Sequence, residues 1–270
     1  MHFLSVLVRC KDEPFVAEFI NHYLKEGVDF IYIIDDNSTL RYSSEVIENN
    51  RVKIFYEKNI IPNNIASSIY KKIKTKTQWL IYVDIDEFIT TKKDFDNTIR
   101  DQLKTKFTNV DCIKVPWVMM SANNREENPK SLLQETLWRW NHDKKHENNF
   151  TKIHKFRCRY DAIEIKSIFK PSKFNDIWDH HPKEPINEII CVESVYGNVS
   201  KLTPFYANLR EKDIEEAYLV CYHFRVISRE NSLDKIKNNI WYNDYTIEDL
   251  MSTDYAEVYD ETLKIKYLNH

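Results

Sequence analysis

Two aspartates one residue apart, Asp84 and Asp86, close an apolar run at 79–83. Alternate side chains of an extended chain point the same way, so both carboxylates fall on one side. Paired carboxylates at a strand end suit a hard divalent cation, which prefers oxygen ligands. Such a cation can neutralise a departing diphosphate. A bare D-x-D is also a common solvated turn, so its meaning rests on its setting. Two further acidic clusters follow apolar runs: Asp12-Glu13 after 3–8 and Asp35-Asp36 after 30–34.

Those runs, with one at 52–56, have the length and the Val, Ile and aromatic content of buried strands. Helical patterns separate them. Pro14 opens the first, with Asp12 or Glu13 able to cap it. Phe15, Phe19, Ile20, Tyr23 and Leu24 recur at helical spacing, and Gly27 supplies a stop. Pro62 leads a second helix through Ile65, Ile69 and Ile73. Phe95, Ile99 and Leu103 mark a third. This order predicts an α/β fold: an open, mostly parallel central sheet with helices on both faces and an elaborated C-terminal half. Ligands in such sheets sit at the carboxyl ends of the strands, where the three acidic clusters converge.

Composition removes other chemistries. Two glycines stand in 270 residues, where average usage would give roughly nineteen. No G-x-G-x-x-G, G-x-x-x-x-G-K-[ST] or G-x-S-x-G can be written, which sets aside dinucleotide, P-loop, kinase and serine-hydrolase motifs. A net charge of −3 argues against a nucleic-acid partner. Five dispersed cysteines read as reduced, buried thiols. With no long apolar span and no leader pattern, the expectation is a cytoplasmic chain without a transmembrane segment.

The later chain offers more candidates. His142, Asp143, His146 and His154 are too loosely spaced for a structural zinc site and read as a polar loop. Trp117, Trp138, Trp140 and Trp178 could stack on sugar faces, with core packing the stronger expectation. In the strand predicted at 218–226, alternation puts His223 and Arg225 on one polar face. His180 and His181 would face oppositely in extended chain. Ser228 is a cap for a helix with Leu233, Ile236 and Ile240 on its apolar face.

Several blocks, taken in order, resemble GT-A glycosyltransferases, and most closely the family 2-like and family 92-like group. They are Val8-Arg9-Cys10-Lys11-Asp12-Glu13, Ile31-Tyr32-Ile33-Ile34-Asp35-Asp36-Asn37-Ser38 and Trp79-Leu80-Ile81-Tyr82-Val83-Asp84-Ile85-Asp86-Glu87-Phe88. Lys166-Ser167-Ile168-Phe169-Lys170-Pro171, His180-His181-Pro182 and Tyr222-His223-Phe224-Arg225 follow. The resemblance implies a single GT-A domain over 1–270, with a nucleotide-sugar and metal half at 1–106 and an acceptor and C-terminal half at 107–270. It implies Mn²⁺ or Mg²⁺ and an inverting transfer of a hexose from a nucleotide-diphosphate sugar, expected to be UDP-linked. The acceptor would be a hydroxyl of a glycan or glycoconjugate. Arg9, Asp12, Glu13, Asp36, Asp84 and Arg225 match the donor-holding part, and Asp84 with Asp86 the metal-binding pair. A late histidine, His181 or His223, would add a metal ligand. The chain departs from the group at 119–124, where relatives often carry glycine and this sequence has none.

An inverting transfer needs a base for the acceptor hydroxyl. Glu135, Asp176 and Asp179 are candidates, and Asp179 is preferred for lying beside the histidine pair. Two rivals stand against this function: a metal-dependent phosphohydrolase or nucleotidyltransferase, and a non-catalytic glycan-binding protein on the same fold.

Overall fold

The computed structural model describes residues 1–57, 62–144, 146, 163–206, 209–239 and 242–269. The first half runs β1 (His2–Cys10), α1 (Val16–Lys25), β2 (Phe30–Asp36), α2 (Ser44–Ile47), β3 (Val52–Glu57), α3 (Pro62–Ile73) and β4 (Thr77–Asp84). Next come β5 (Glu87–Thr91), α4 (Ile99–Thr105), β6 (Cys112–Ser121), α5 (Leu132–Glu135) and β7 (Trp138–Arg139). Then follow β8 (Ile163–Phe169), β9 (Phe174–Ile177), β10 (Pro182–Pro185), β11 (Cys191–Glu193), β12 (Phe205–Tyr206) and α6 (Glu211–Glu215). The chain finishes with β13 (Leu219–His223), α7 (Arg229–Asn238), α8 (Ile247–Met251), β14 (Val258–Tyr259) and α9 (Thr262–Asn269).

The main sheet is ordered β14-β7-β6-β8-β4-β1-β2-β3. From β4 to β3 every pairing is parallel, as the alternation of strand and helix predicts. Beyond β4 the sheet becomes mixed, because β8 runs antiparallel to both β4 and β6. β1 is buried on both faces. Leu4, Val6 and Val8 pack with α1 and α4 on one side, while Leu7 joins Tyr32, Ile34 and the Ala66, Ile69 and Tyr70 face of α3 on the other. Helices thus cover both faces of this part of the sheet.

Gly27 ends α1 as expected. It adopts φ +85 while Val28 N donates to Tyr23 O, a left-handed terminus that favours glycine. The helix start differs. It begins at Val16, and neither Asp12 nor Glu13 caps it. The Asp12 carboxylate instead accepts from the backbone of Thr39 and Leu40, tying the loops after β1 and β2 together. Phe95 precedes α4, whose N-cap is Thr98 in a capping box with Asp101. β5 is an additional strand, made when the chain reverses directly after Asp86 and pairs with β13.

Ser228 does cap α7, accepting from Asn231 N, and Ile236 packs on Tyr245 and Leu250 as its assigned face requires, but Leu233 does not belong to that face. Leu233 is 49% exposed, while Lys235 is buried. Ile240 lies outside the described residues, as does His154. After β6, Asn123 and Asn124 take φ +53 and +55, left-handed positions where asparagine is the usual alternative to glycine. Asp254 fixes this turn by accepting from Ala122 N and Asn124 N. No helix among the described residues is long and apolar enough to cross a membrane.

Candidate functional site

The parallel register places Arg9 of β1 beside Asp84 of β4. Its guanidinium lies 3.4 Å from one Asp84 oxygen, and Lys166 Nζ of β8 lies 2.8 Å from the other. Glu87 closes the turn from below: one of its oxygens accepts from Asp84 N at 2.7 Å and sits 3.1 Å from Lys166 Nζ. Asp86 points to different partners. Lys235 Nζ of α7 donates to it at 2.9 Å, and His223 Nε2 at the end of β13 lies 3.7 Å from its other oxygen. The backbone of Asp86 is held too, since Phe224 N donates to its carbonyl. Trp117 packs at a tilt against His223 with ring centroids 4.3 Å apart, and the Arg225 guanidinium lies over the Trp117 ring, 5.5 Å from its centroid.

These placements set the charges. Burial alone would raise the Asp84 carboxyl, but the Lys166 ammonium and Arg9 guanidinium overcome it and hold the group well below the usual range. Asp86 is likewise lowered against burial, chiefly by Lys235. Both stay anionic. Glu87 is different: fully buried, with Asp84 and Asp86 nearby, it is pushed up to about 8 despite Lys166. Glu13, at the end of β1, is raised to about 7 by burial, partly offset by Lys235 and reinforced by Asp86. Burial drives His223 down to about 3, so its imidazole is neutral at physiological pH.

A neutral imidazole and an anionic carboxylate are a chemically sound donor pair for Mn²⁺ or Mg²⁺. Donors on neighbouring positions of one ion, each about 2.1 Å from it, lie roughly 3 Å apart, and a small closure of the 3.7 Å gap meets that. Among the described residues no three His, Cys, Asp or Glu groups form a closed metal cage. The fit is therefore to an ion that keeps positions for water and phosphate oxygens, the usual manner of Mg²⁺ with nucleotides. Lys235 already neutralises Asp86, so an incoming ion competes with an ammonium.

The sequence candidates divide. Arg9, Glu13, Asp84, Asp86, His223 and Arg225 come together, with Asp36 at the adjoining end of β2. Asp179 joins them: its carbonyl accepts from Lys166 Nζ at 2.9 Å, and its carboxyl is raised by burial and by Asp84. His181 does not join. Its Nδ1 lies 2.7 Å from Pro182 O and its charged neighbour is Lys114, while His180 packs on Trp117. The two residues sit in the turn between β9 and β10 rather than in the extended chain expected of them, and their backbone and ring anchors differ. The other base candidates are committed elsewhere. Glu135 accepts from Lys130 N and Ser131 N and pairs with Arg125, and Asp176 pairs with Lys183. His146 lies 2.9 Å from Glu257 and stacks on Tyr255. Trp117 and Trp140 are buried, as expected of core residues, while Trp178 is exposed.

Lys235 is the residue that sequence reasoning missed. No local signal marks it, because it lies opposite Leu233 on a face that hydrophobic spacing does not read as buried. Lys166 stood inside a recognised block but carried no role until the strand order placed β8 beside β4.

A family model described as glycosyltransferase family 92 matches residues 70–263, a span holding Asp84, Asp86, Lys166, Asp179, His223 and Lys235. No curated protein matches the chain. Among solved structures, the chain is similar to HddC from Yersinia pseudotuberculosis at 11% identity and a TM-score of 0.38, over 80% of this chain and 98% of that one. It is also similar to 4-diphosphocytidyl-2C-methyl-D-erythritol synthase from Anaerococcus prevotii DSM 20548, at 9% identity and a TM-score of 0.35, over 80% and 96% of the two chains.

Proposed function

Because the chain belongs to glycosyltransferase family 92, we propose that it moves a hexose from a nucleoside-diphosphate sugar to a hydroxyl of a glycan or glycoconjugate, with inversion. A UDP-linked hexose is the donor to test first. The observation that supports this most is the cluster at the strand ends, where two anionic aspartates, two buried lysines, a half-buried arginine and a neutral histidine meet.

Asp86 and His223 would hold Mn²⁺ or Mg²⁺, and the ion would supply Lewis-acid stabilisation of the departing diphosphate. Arg9, Lys166 and Arg225 add fixed positive charge around the same cluster, and preorganised charge is usually the largest contribution to such a step. Asp12, Glu13 and Asp36 rim the nucleoside side, with Asp12 acting through the loop it holds. Asp179 accepts the proton of the acceptor hydroxyl as that oxygen attacks the anomeric carbon. Its raised carboxyl is suited to the task, since a base works best with a pKa near the working pH. The oxygen–carbon bond forms as the bond from that carbon to the diphosphate breaks, and a single displacement inverts the centre.

The test is a panel of nucleotide sugars with Mn²⁺ and mixed oligosaccharides, read as nucleoside-diphosphate release. Release from one donor, dependent on acceptor, is expected. Release of inorganic phosphate, or of nothing across the panel, would count against this function and revive the phosphohydrolase or binding-protein readings.

A further inference from the structure

The turn between β9 and β10 is gripped by three consecutive residues of β8. Ile165 O lies 3.1 Å from His180 Nδ1, Lys166 Nζ donates to Asp179 O at 2.9 Å, and Ser167 Oγ donates to His180 O at 2.9 Å. Trp178 N donates to His181 O and closes the turn on itself. All four anchors hold backbone or imidazole atoms, and the indole of Trp178 is 39% exposed. Lys166 also holds Asp84 at 2.8 Å. One strand therefore positions the acidic pair and this turn together.

The rings form a continuous row from the cluster to the surface. His223 packs on Trp117 at 4.3 Å, Trp117 on His180 at 5.4 Å, and His180 on Trp178 at 5.6 Å. A large apolar ring fixed at the rim of a polar site is otherwise unfavourable, since its exposed face gains nothing from water. The backbone anchoring removes the freedom that would let it fold away. A rigid aromatic face loses little entropy on binding, and it complements the C–H face of a pyranose ring.

Resting on the transferase reading above, we propose that Trp178 is the platform of the acceptor subsite, and that its ligand is a hexopyranose unit stacked by its C–H face against the exposed indole. The preceding anchors then set the distance between the stacked sugar and Asp179, the next residue in the chain, so that a free hydroxyl of that sugar meets the base.

The test follows indole N–H signals of the full chain by NMR, with and without Mn²⁺ and UDP. The probes are methyl β-D-galactopyranoside, methyl β-D-glucopyranoside, methyl α-D-mannopyranoside and methyl β-N-acetylglucosaminide. The expected result is a shift of the Trp178 signal with at least one sugar. Trp178→Ala and Trp178→Leu should weaken that sugar by about tenfold, with UDP affinity unchanged, and Trp178→Phe should recover most of the loss. Trp138→Ala, on a ring that packs with Tyr259 instead, should leave the sugar affinity as it was. The proposal is overturned if no sugar moves the Trp178 signal, or if the Ala and Leu variants bind sugars as the parent does. A failure of UDP to bind strikes the transferase reading alone, because the sugar titrations without nucleotide still report on Trp178.

Discussion

Two ionic clusters in this molecule are built from the same residue types and finished differently. Around Arg139, every guanidinium nitrogen has an acceptor: Asp260, Trp140 O and Glu211. Asp260 also accepts from Lys92 and from the Tyr222 hydroxyl. Arg139 and Asp260 are 2% and 3% exposed, so the cluster closes on itself. The Asp84–Asp86 cluster stays open. Asp84 is 37% exposed, and Arg9 Nη1, Glu87 Oε1 and His223 Nδ1 are buried with no partner among the described residues. Unsatisfied buried polar atoms are costly, and proteins tolerate them chiefly at working sites. The first cluster ties β7, α6 and α9 together through Arg139 and Asp260, and the second leaves three buried polar atoms without a partner among the described residues.

The largest expected effect tests the closed side. Arg139→Met leaves Asp260 and Glu211 without their shared cation, and breaking a buried pair in this way costs about 3–5 kcal/mol. Urea denaturation should show that loss, while the activity of each folded molecule stays unchanged. A fall in kcat without a fall in stability would dissolve the distinction between the clusters. Next comes Asp86→Asn, which keeps an acceptor for Lys235 and removes the charge. Turnover per folded molecule should drop by about 10²–10³-fold, and the urea midpoint should fall as well, because Lys235 is left buried without its counter-charge. Full activity in this variant would remove Asp86 from the mechanism.

A pH measurement sharpens the same contrast. His142 is joined to the closed cluster through its backbone N–H on Glu211, and burial lowers its ring to about 4. The unfolded chain binds the proton first, so the stability this group allows is fully present above pH 6.5 and is lost as pH falls from 6.5 to 4. His142→Gln should flatten that acid limb by roughly 2–3 kcal/mol. An unchanged limb would place its origin elsewhere.

On the open side, Lys235→Met takes away the ammonium that neutralises Asp86. Mn²⁺ should then bind about tenfold more tightly, or ~1.4 kcal/mol, seen as loss of the free-ion EPR signal. Equal or weaker binding would mean that the ion and the ammonium do not compete for Asp86.

How much of this could be read from the chain depended on whether the signal was local. The parallel strands, the Gly27 stop and the acidic strand ends were legible, because apolar runs and D-x-D are properties of a few consecutive residues. Lys166 and Lys235 were not: each gains its role only when a distant element is laid against β4 or β5. Leu233 misled because α7 buries a charged residue, and hydrophobic periodicity presumes an apolar inner face. β5 was hidden because a two-residue reversal after Asp84 leaves no turn signature of Gly or Pro.

The smallest effect concerns the glycine scarcity. At 123 the backbone is left-handed with φ +53, but the side chain is exposed, so only the backbone conformation limits the residue. Asn123→Ala should cost about 1 kcal/mol, and Asn123→Gly should change stability by less than about 0.5 kcal/mol, since relief of strain is offset by a more flexible unfolded chain. At Gly27 a second constraint is added: a Cβ there would meet the Arg100 Cβ at 2.7 Å. Asparagine can stand in for glycine where conformation alone matters, and it fails where space is also required. Gly27→Asn should therefore destabilise more than Asn123→Ala in parallel thermal melts. The reverse order would show that the turn after β6 needs its asparagine side chain, and so that this turn depends on Asn123 for more than its backbone angle.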